Sequence, residues 1–184
     1  MAVTQTVEST PRRPLRLWPG VAVVALQWLL WLVVPRLFPD ASIVATLGGV
    51  AGGAVVLIWW LFFSRAAWVE RVGAIVLMAV ALFATSRFVH ESIATGMMGL
   101  MLVGYAIPVM SLALVGAAAL GRGMSNGLRR AAMAVAILLA CGVFTLLRTG
   151  GVAGSGASDL QWRWTPSPEE RLLSQARDEP PSAP

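Results

Sequence analysis

Several residue types are scarce in this 184-residue chain, and each scarcity closes off a class of function. Lysine is absent, so all 14 basic residues are arginine. No arginine-specific recognition needs lysine removed everywhere, and the bias carries little chemistry. The single cysteine, Cys141, excludes an internal disulfide, a zinc cluster and a CxxCH haem attachment. With one histidine, His90, the chain by itself cannot build a multi-histidine metal site. Charged residues make up 12% of the sequence, about half the share of an average soluble domain. A Walker loop, a Rossmann glycine pattern, HExxH and GxSxG are all missing. No catalytic residue, cofactor or metal ligand is expected on these grounds.

What the chain has instead is long apolar runs, within a total of 57% apolar residues. The stretch Ala94 to Leu120 contains no charge. As a helix it would span roughly 40 Å at about 1.5 Å per residue, enough to cross a hydrocarbon core of about 30 Å. Four more runs flank it: Leu17 to Phe38, Ser42 to Phe63, Trp68 to Thr85 and Ala131 to Leu147. The expected fold class is all-α, a polytopic membrane bundle of five transmembrane helices with a short exported tail. Its parts are a disordered tail at 1–16, the membrane domain at 17–148, and a linker with a short membrane-proximal helix at 149–184.

Within the spans, a few residues depart from plain hydrophobicity. Gln27 is the one strongly polar side chain of the first span and is expected to bond across to another helix. Pro35 should kink or end that helix. Gly48 and Gly52, and Gly49 and Gly53, form two GxxxG pairs that predict a flat packing face on the second span, against this chain or a second copy. Trp59, Trp60, Phe62 and Phe63 suggest an interfacial aromatic end. The third span has only 14 uncharged residues at its centre, short for a full crossing unless Trp68 to Arg71 extend it. In the fourth, Tyr105 and Pro108 interrupt the aliphatic run, and Pro108 should bend the helix. Met97, Met98, Met101 and Met110 read as packing residues. Ala132, Ala136 and Ala140 align as a small-residue face on the fifth span.

Between spans three and four, Arg87 and Glu91 are four residues apart and predict an ion pair if the helix continues. His90 beside them is a weak candidate for proton transfer or for a metal site shared between copies. Thr149 to Ser158 reads as a flexible glycine-rich linker. Ser167-Pro168-Glu169-Glu170 then predicts a short helix: a serine cap, proline at the first position and acids in the first turn. Trp162 and Trp164 before it suit headgroups or a partner. The arginines gather in the tail and in the second and fourth connections. That asymmetry predicts a cytoplasmic N-terminus and a periplasmic C-terminus in a bacterial inner membrane, and assigns the net charge of +5 to topology and lipid rather than nucleic acid.

The segments WWLFFSRAAWVERVGAIVLMAVALFATSRFVHESIATGMMG, CGVFTLLRTGG and DLQWRWTPSPEERLL resemble the N-terminal membrane region of bacterial PQQ-binding-like β-propeller proteins. The resemblance covers about residues 15 to 175. It implies membrane helices that precede a periplasmic propeller, hence an anchor or assembly region. No propeller repeat is recognisable in the 184 residues, so no PQQ-binding position can be carried over. The leading expectation is therefore a non-enzymatic membrane anchor positioning a periplasmic module or partner. A small transporter, or an accessory subunit of a membrane redox complex, is the alternative that Gln27, Tyr105 and Pro108 keep open.

Overall fold

A computed structural model describes residues 17–152 and 158–178. Five of its helices are long and apolar enough to cross a membrane: α1 (Trp18–Leu37), α2 (Ser42–Phe62), α3 (Trp68–Phe88), α5 (Met101–Leu120) and α6 (Asn126–Thr145). A short α4 (Glu91–Ala94) precedes α5, and α7 (Pro168–Asp178) follows a two-stranded hairpin of β1 (Leu147–Val152) and β2 (Ser158–Trp162). The protein is an all-α helical bundle whose long helices run alternately up and down. The predicted 1–16 tail lies outside the described residues.

The middle of the bundle is α5, which packs against α1, α2, α3 and α6. Within its apolar stretch 56% of residues are buried, against 17–33% for the other four spans. Ala106, Leu114 and Ala118 are fully enclosed, with Met110 and Val115 beside them. Outward-facing side chains are equally apolar: Leu29 on α1, Leu47 on α2, Val80 on α3 and Leu139 on α6 are all exposed. A soluble protein would not leave so much of five helices uncovered. The protein is membrane-embedded, with lipid against this surface.

Local chemistry explains most of the boundaries. Pro19 sits in the first turn of α1, where its missing donor costs nothing. Pro35 lies inside the last turn, and the helix ends two residues after it. Arg36 turns back to the Leu32 carbonyl there. At the end of α2, the Arg71 guanidinium donates from Nε to the Ala66 carbonyl (2.8 Å) and from Nη1 to the Leu61 carbonyl (2.5 Å). It thereby serves the Leu61 carbonyl in the last turn of α2, where positive charge is also favoured, and the Ala66 carbonyl in the connection to α3. Its other face lies 5.2 Å from the centroid of the Trp68 ring. The helix that Arg71 belongs to, α3, has 21 residues and is long enough for a full crossing. Its charged first turn is part of the helix.

Four expectations need correction. The fourth span is not one helix from Ala94: the chain breaks at Gly96–Gly99, and α5 starts at Met101. Met97 (φ 51°), Met98 (φ 57°) and Gly99 (φ 84°) are all left-handed, a reversal that ends any right-handed helix. Met98 consequently stands 96% exposed instead of packing, whereas Met101 and Met110 are buried. The expected Arg87–Glu91 ion pair is absent because α3 stops at Phe88 and Val89 is extended. Arg87 instead lies over the Phe83 ring at 4.9 Å. Trp59 and Trp60 are buried in the bundle, and only Phe62 and Phe63 remain exposed as an aromatic end.

The fourth correction concerns the C-terminal linker. Its ends, 149–152 and Ser158, belong to the hairpin, with Leu147 opposite Trp162, Arg148 opposite Gln161 and Thr149 opposite Leu160, while 153–157 lie outside the described residues. α6 runs from Asn126 to Thr145, starting and ending earlier than the apolar run implied. Ser125 caps it, accepting from the Leu128 amide (3.4 Å). The cap of α7 follows the sequence pattern closely. Ser167 Oγ accepts from the Glu170 amide (3.0 Å), and Glu170 Oε2 accepts from the Ser167 amide (2.7 Å), a reciprocal capping box.

That box makes α7 sensitive to acid. The Glu170 carboxyl is held below its ordinary range chiefly by the Ser167 backbone N–H, with the Ser167 hydroxyl and Arg148 helping. A group whose folded pKa is depressed stabilises the folded form above its unfolded pKa and loses that contribution as pH falls through the folded value. The helical signal of α7 should therefore persist at neutral pH and fade below the usual carboxylate range. Glu170→Gln should remove most of this pH dependence, as read by NMR chemical shifts of residues 168 to 172. A pH response identical in both proteins would refute the capping role.

Candidate functional site

The bundle has two differently built ends. At one end lie the C-termini of α1, α3 and α6, the N-termini of α2 and α5, and the hairpin. A cleft of about 380 Å³ opens there between α1, α2, α5 and β2. Trp31, Leu32, Pro35 and Arg36 of α1 line it, with Ser42 and Thr46 of α2, Tyr105 of α5 and Ser158 of β2. Trp31 and Tyr105 meet edge to face, with ring centroids 5.4 Å apart. Thr46 Oγ1 donates to the Ser42 carbonyl (3.0 Å). The Tyr105 hydroxyl and Ser158 Oγ are 2.5 Å apart, joining the bundle to the hairpin across 53 residues of sequence.

Below the cleft, two other sequence candidates are tied into helix contacts. Gln27 is buried, and its Nε2 donates to the Gly49 carbonyl of α2 (2.6 Å). Its Oε1, and the indole nitrogens of Trp59 and Trp60, are buried without a hydrogen-bond partner among the described residues. The Pro108 carbonyl accepts from Trp28 Nε1 (3.2 Å), so α1 and α5 are linked at the proline. Gln27, Tyr105 and Pro108 each bond to a different neighbour: Gly49 of α2, Ser158 of β2 and Trp28 of α1. Each closes a different contact between elements.

The glycine face of α2 divides three to one. A Cβ at Gly53 would lie 2.1 Å from Ile107 Cγ2, at Gly52 2.8 Å from Gln27 Cγ, and at Gly49 3.1 Å from Pro108 Cγ. Gly48 has open space around its Cβ position and takes no part in close packing. The partners of the other three are α1 and α5 of the same chain. The alanine face of α6 is also shifted. Ala140 is buried, but Ala132 and Ala136 are only half-buried, at the edge of a stripe formed by Met133, Ile137, Cys141 and Phe144. Larger side chains bury more apolar area, and they set the rotation of the helix.

His90 is structural at its Nδ1 side. That nitrogen caps α4 by accepting from the Ser92 amide (3.2 Å) and lies 2.9 Å from Ser92 Oγ. Ser92 Oγ in turn accepts from the Thr149 amide of β1 (3.1 Å). The relay fastens the connection before α5 to the hairpin. Glu91 begins α4, and its carbonyl accepts from Thr95 Oγ1 (2.8 Å). No group of three or more potential metal ligands exists among the described residues.

At the opposite end, sequence reasoning missed the strongest electrostatic feature. Glu70 of α3 is buried, with a side chain 1% exposed. It accepts from Arg129 Nη2 at 2.8 and 2.6 Å and from Arg130 Nε at 3.0 Å. The partners are 59 and 60 residues away on α6, and nothing local in the sequence marks the pairing. Its only sign was an acid inside the first turn of an apolar run.

No family model, curated protein or solved structure matches this chain.

Proposed function

We propose that this chain is a non-enzymatic membrane anchor that holds an extracytoplasmic module or protein partner in a fixed orientation. The observation that carries this reading is the attachment of the hairpin to the bundle. Tyr105 bonds Ser158, Ser92 accepts from Thr149, and Arg163 Nη1 donates to the Thr145 carbonyl (3.1 Å). A linker needs no such bonds, whereas a platform does. At the end of the hairpin, Trp162 of β2 stacks on Trp164 with centroids 5.2 Å apart, and both are exposed. Leu172 and Leu173 of α7 are exposed as well, so the platform offers apolar surface for a partner or headgroups. A propeller-type module is the partner class implied by the sequence resemblance.

The arginine asymmetry supports a hairpin in the periplasm of a bacterial inner membrane and an N-terminus in the cytoplasm. Reporter fusions after Asn126 and after Ser158 should give cytoplasmic and exported signals respectively. Equal cytoplasmic signals would reject that sidedness. Positioning is tested by spin labels at Leu112 on α5 and Asp159 on β2, both exposed. A single narrow distance distribution is expected, broadened by Tyr105→Phe. A broad distribution in the unmodified background would show a tether rather than an anchor.

A further inference from the structure

We propose that the cleft at the hairpin end holds the headgroup of one anionic phospholipid. Arg36 supplies the charge. Its guanidinium has five N–H donors, of which the bond to the Leu32 carbonyl uses one group, Nη1. Among the described residues it enters no ion pair. The acids that flank the cleft in the chain are not its partners: Asp40 is exposed on the next turn, and Asp159 Oδ2 accepts from Gln161 Nε2 (2.5 Å). A planar fork with donors to spare is the side chain best matched to phosphate oxygens.

The walls select an amphiphile over a free anion. Trp31 and Tyr105 form an aromatic side, and Leu32 lines the cleft while remaining 39% exposed on the outer surface of α1. A headgroup seated by Arg36 would therefore leave acyl chains against the exposed apolar belt of α1 and α2, where Ile43 and Leu47 also stand. The depth is suitable, because Arg36 is one residue from the end of a membrane-spanning helix, in the layer where Trp and Tyr favour the interface. About 380 Å³ also falls inside the range of about 300–1,000 Å³ usual for small-molecule sites. Because Ser158 belongs to the wall, an occupied cleft would brace the hairpin from below.

The test is lipid retention by the full chain, released from nanodiscs of mixed phosphatidylglycerol and phosphatidylcholine into native mass spectrometry. One phosphatidylglycerol should be retained over phosphatidylcholine by about fivefold, the scale of one arginine at a lipid surface. Arg36→Gln should abolish the preference. Arg87→Gln, at the same end but over Phe83, should keep it. If Arg36→Gln does not fold, Arg36→Lys retains the charge without the fork and should show a reduced preference. Equal retention of the two lipids by the unmodified protein, or a preference undiminished in the Arg36 variant, would overturn the proposal. Thermal stabilisation by inorganic phosphate equal to that by phosphatidylglycerol would assign the cleft to a free anion and equally overturn it.

Discussion

Replacing Glu70 with glutamine is expected to destabilise the bundle by about 3–5 kcal/mol, the usual cost of removing one partner from a buried ion pair. Glutamine keeps the shape of the side chain but not its charge. Arg129, whose side chain is only 14% exposed, is then left facing Arg130 without the carboxylate that paired with both. The loss should be legible as a large fall in the thermal midpoint in detergent. The double variant Glu70→Leu/Arg129→Met exchanges the closest pair for apolar side chains and should regain most of the stability, since well-packed apolar residues often match a buried pair. Arg130, half exposed at 50%, can turn to water. A midpoint unchanged by Glu70→Gln would show that α3 and α6 are held by apolar packing alone.

The second large effect is expected at Gly53. A methyl group there would meet Ile107 Cγ2 at 2.1 Å, well inside contact distance, so one of the two helices must move. Ile107 cannot easily turn away, because a β-branched side chain in a helix has one strongly preferred rotamer. Gly53→Ala should cost about 1–3 kcal/mol through overpacking, and Gly53→Ile more. Gly48→Ala is the internal control: its Cβ enters open space, and alanine favours a helix over glycine by about 1 kcal/mol. Thermal midpoints of the two alanine variants should move in opposite directions. Parallel changes would mean that glycine acts through helix propensity rather than through the α2–α5 contact.

The pair of glycine variants shows where reading the sequence stops. Two GxxxG repeats announce a flat helix face, yet which glycines are used depends on where α1 and α5 lie against it. Gly48 and Gly52 belong to the same repeat, and only Gly52 is packed, against Gln27. Gln27 likewise announces a polar contact across helices, while its acceptor, the Gly49 carbonyl, is supplied by a neighbouring helix. The cleft was still less visible. Tyr105 stood out as a polar interruption, but Arg36, Thr46 and Ser158 become its neighbours only when four elements converge.

By itself the sequence determined the five spans and the cap of α7, because both are sums over neighbouring residues. Transfer of some 20 apolar side chains into lipid outweighs most local detail, and a capping box is complete within four positions. Tertiary structure alone decided the Glu70 cluster, the joint between Tyr105 and Ser158, and the rotation of α6 that leaves Ala132 at its edge. It also decided the break at Met97 and Met98. Hydropathy counts those residues as span, but it carries no information about backbone handedness, and the left-handed turn brings the chain into α5 from a separate α4. Contacts between residues more than 50 positions apart gain their energy only once the helices are assembled, and no local pattern in the chain records them.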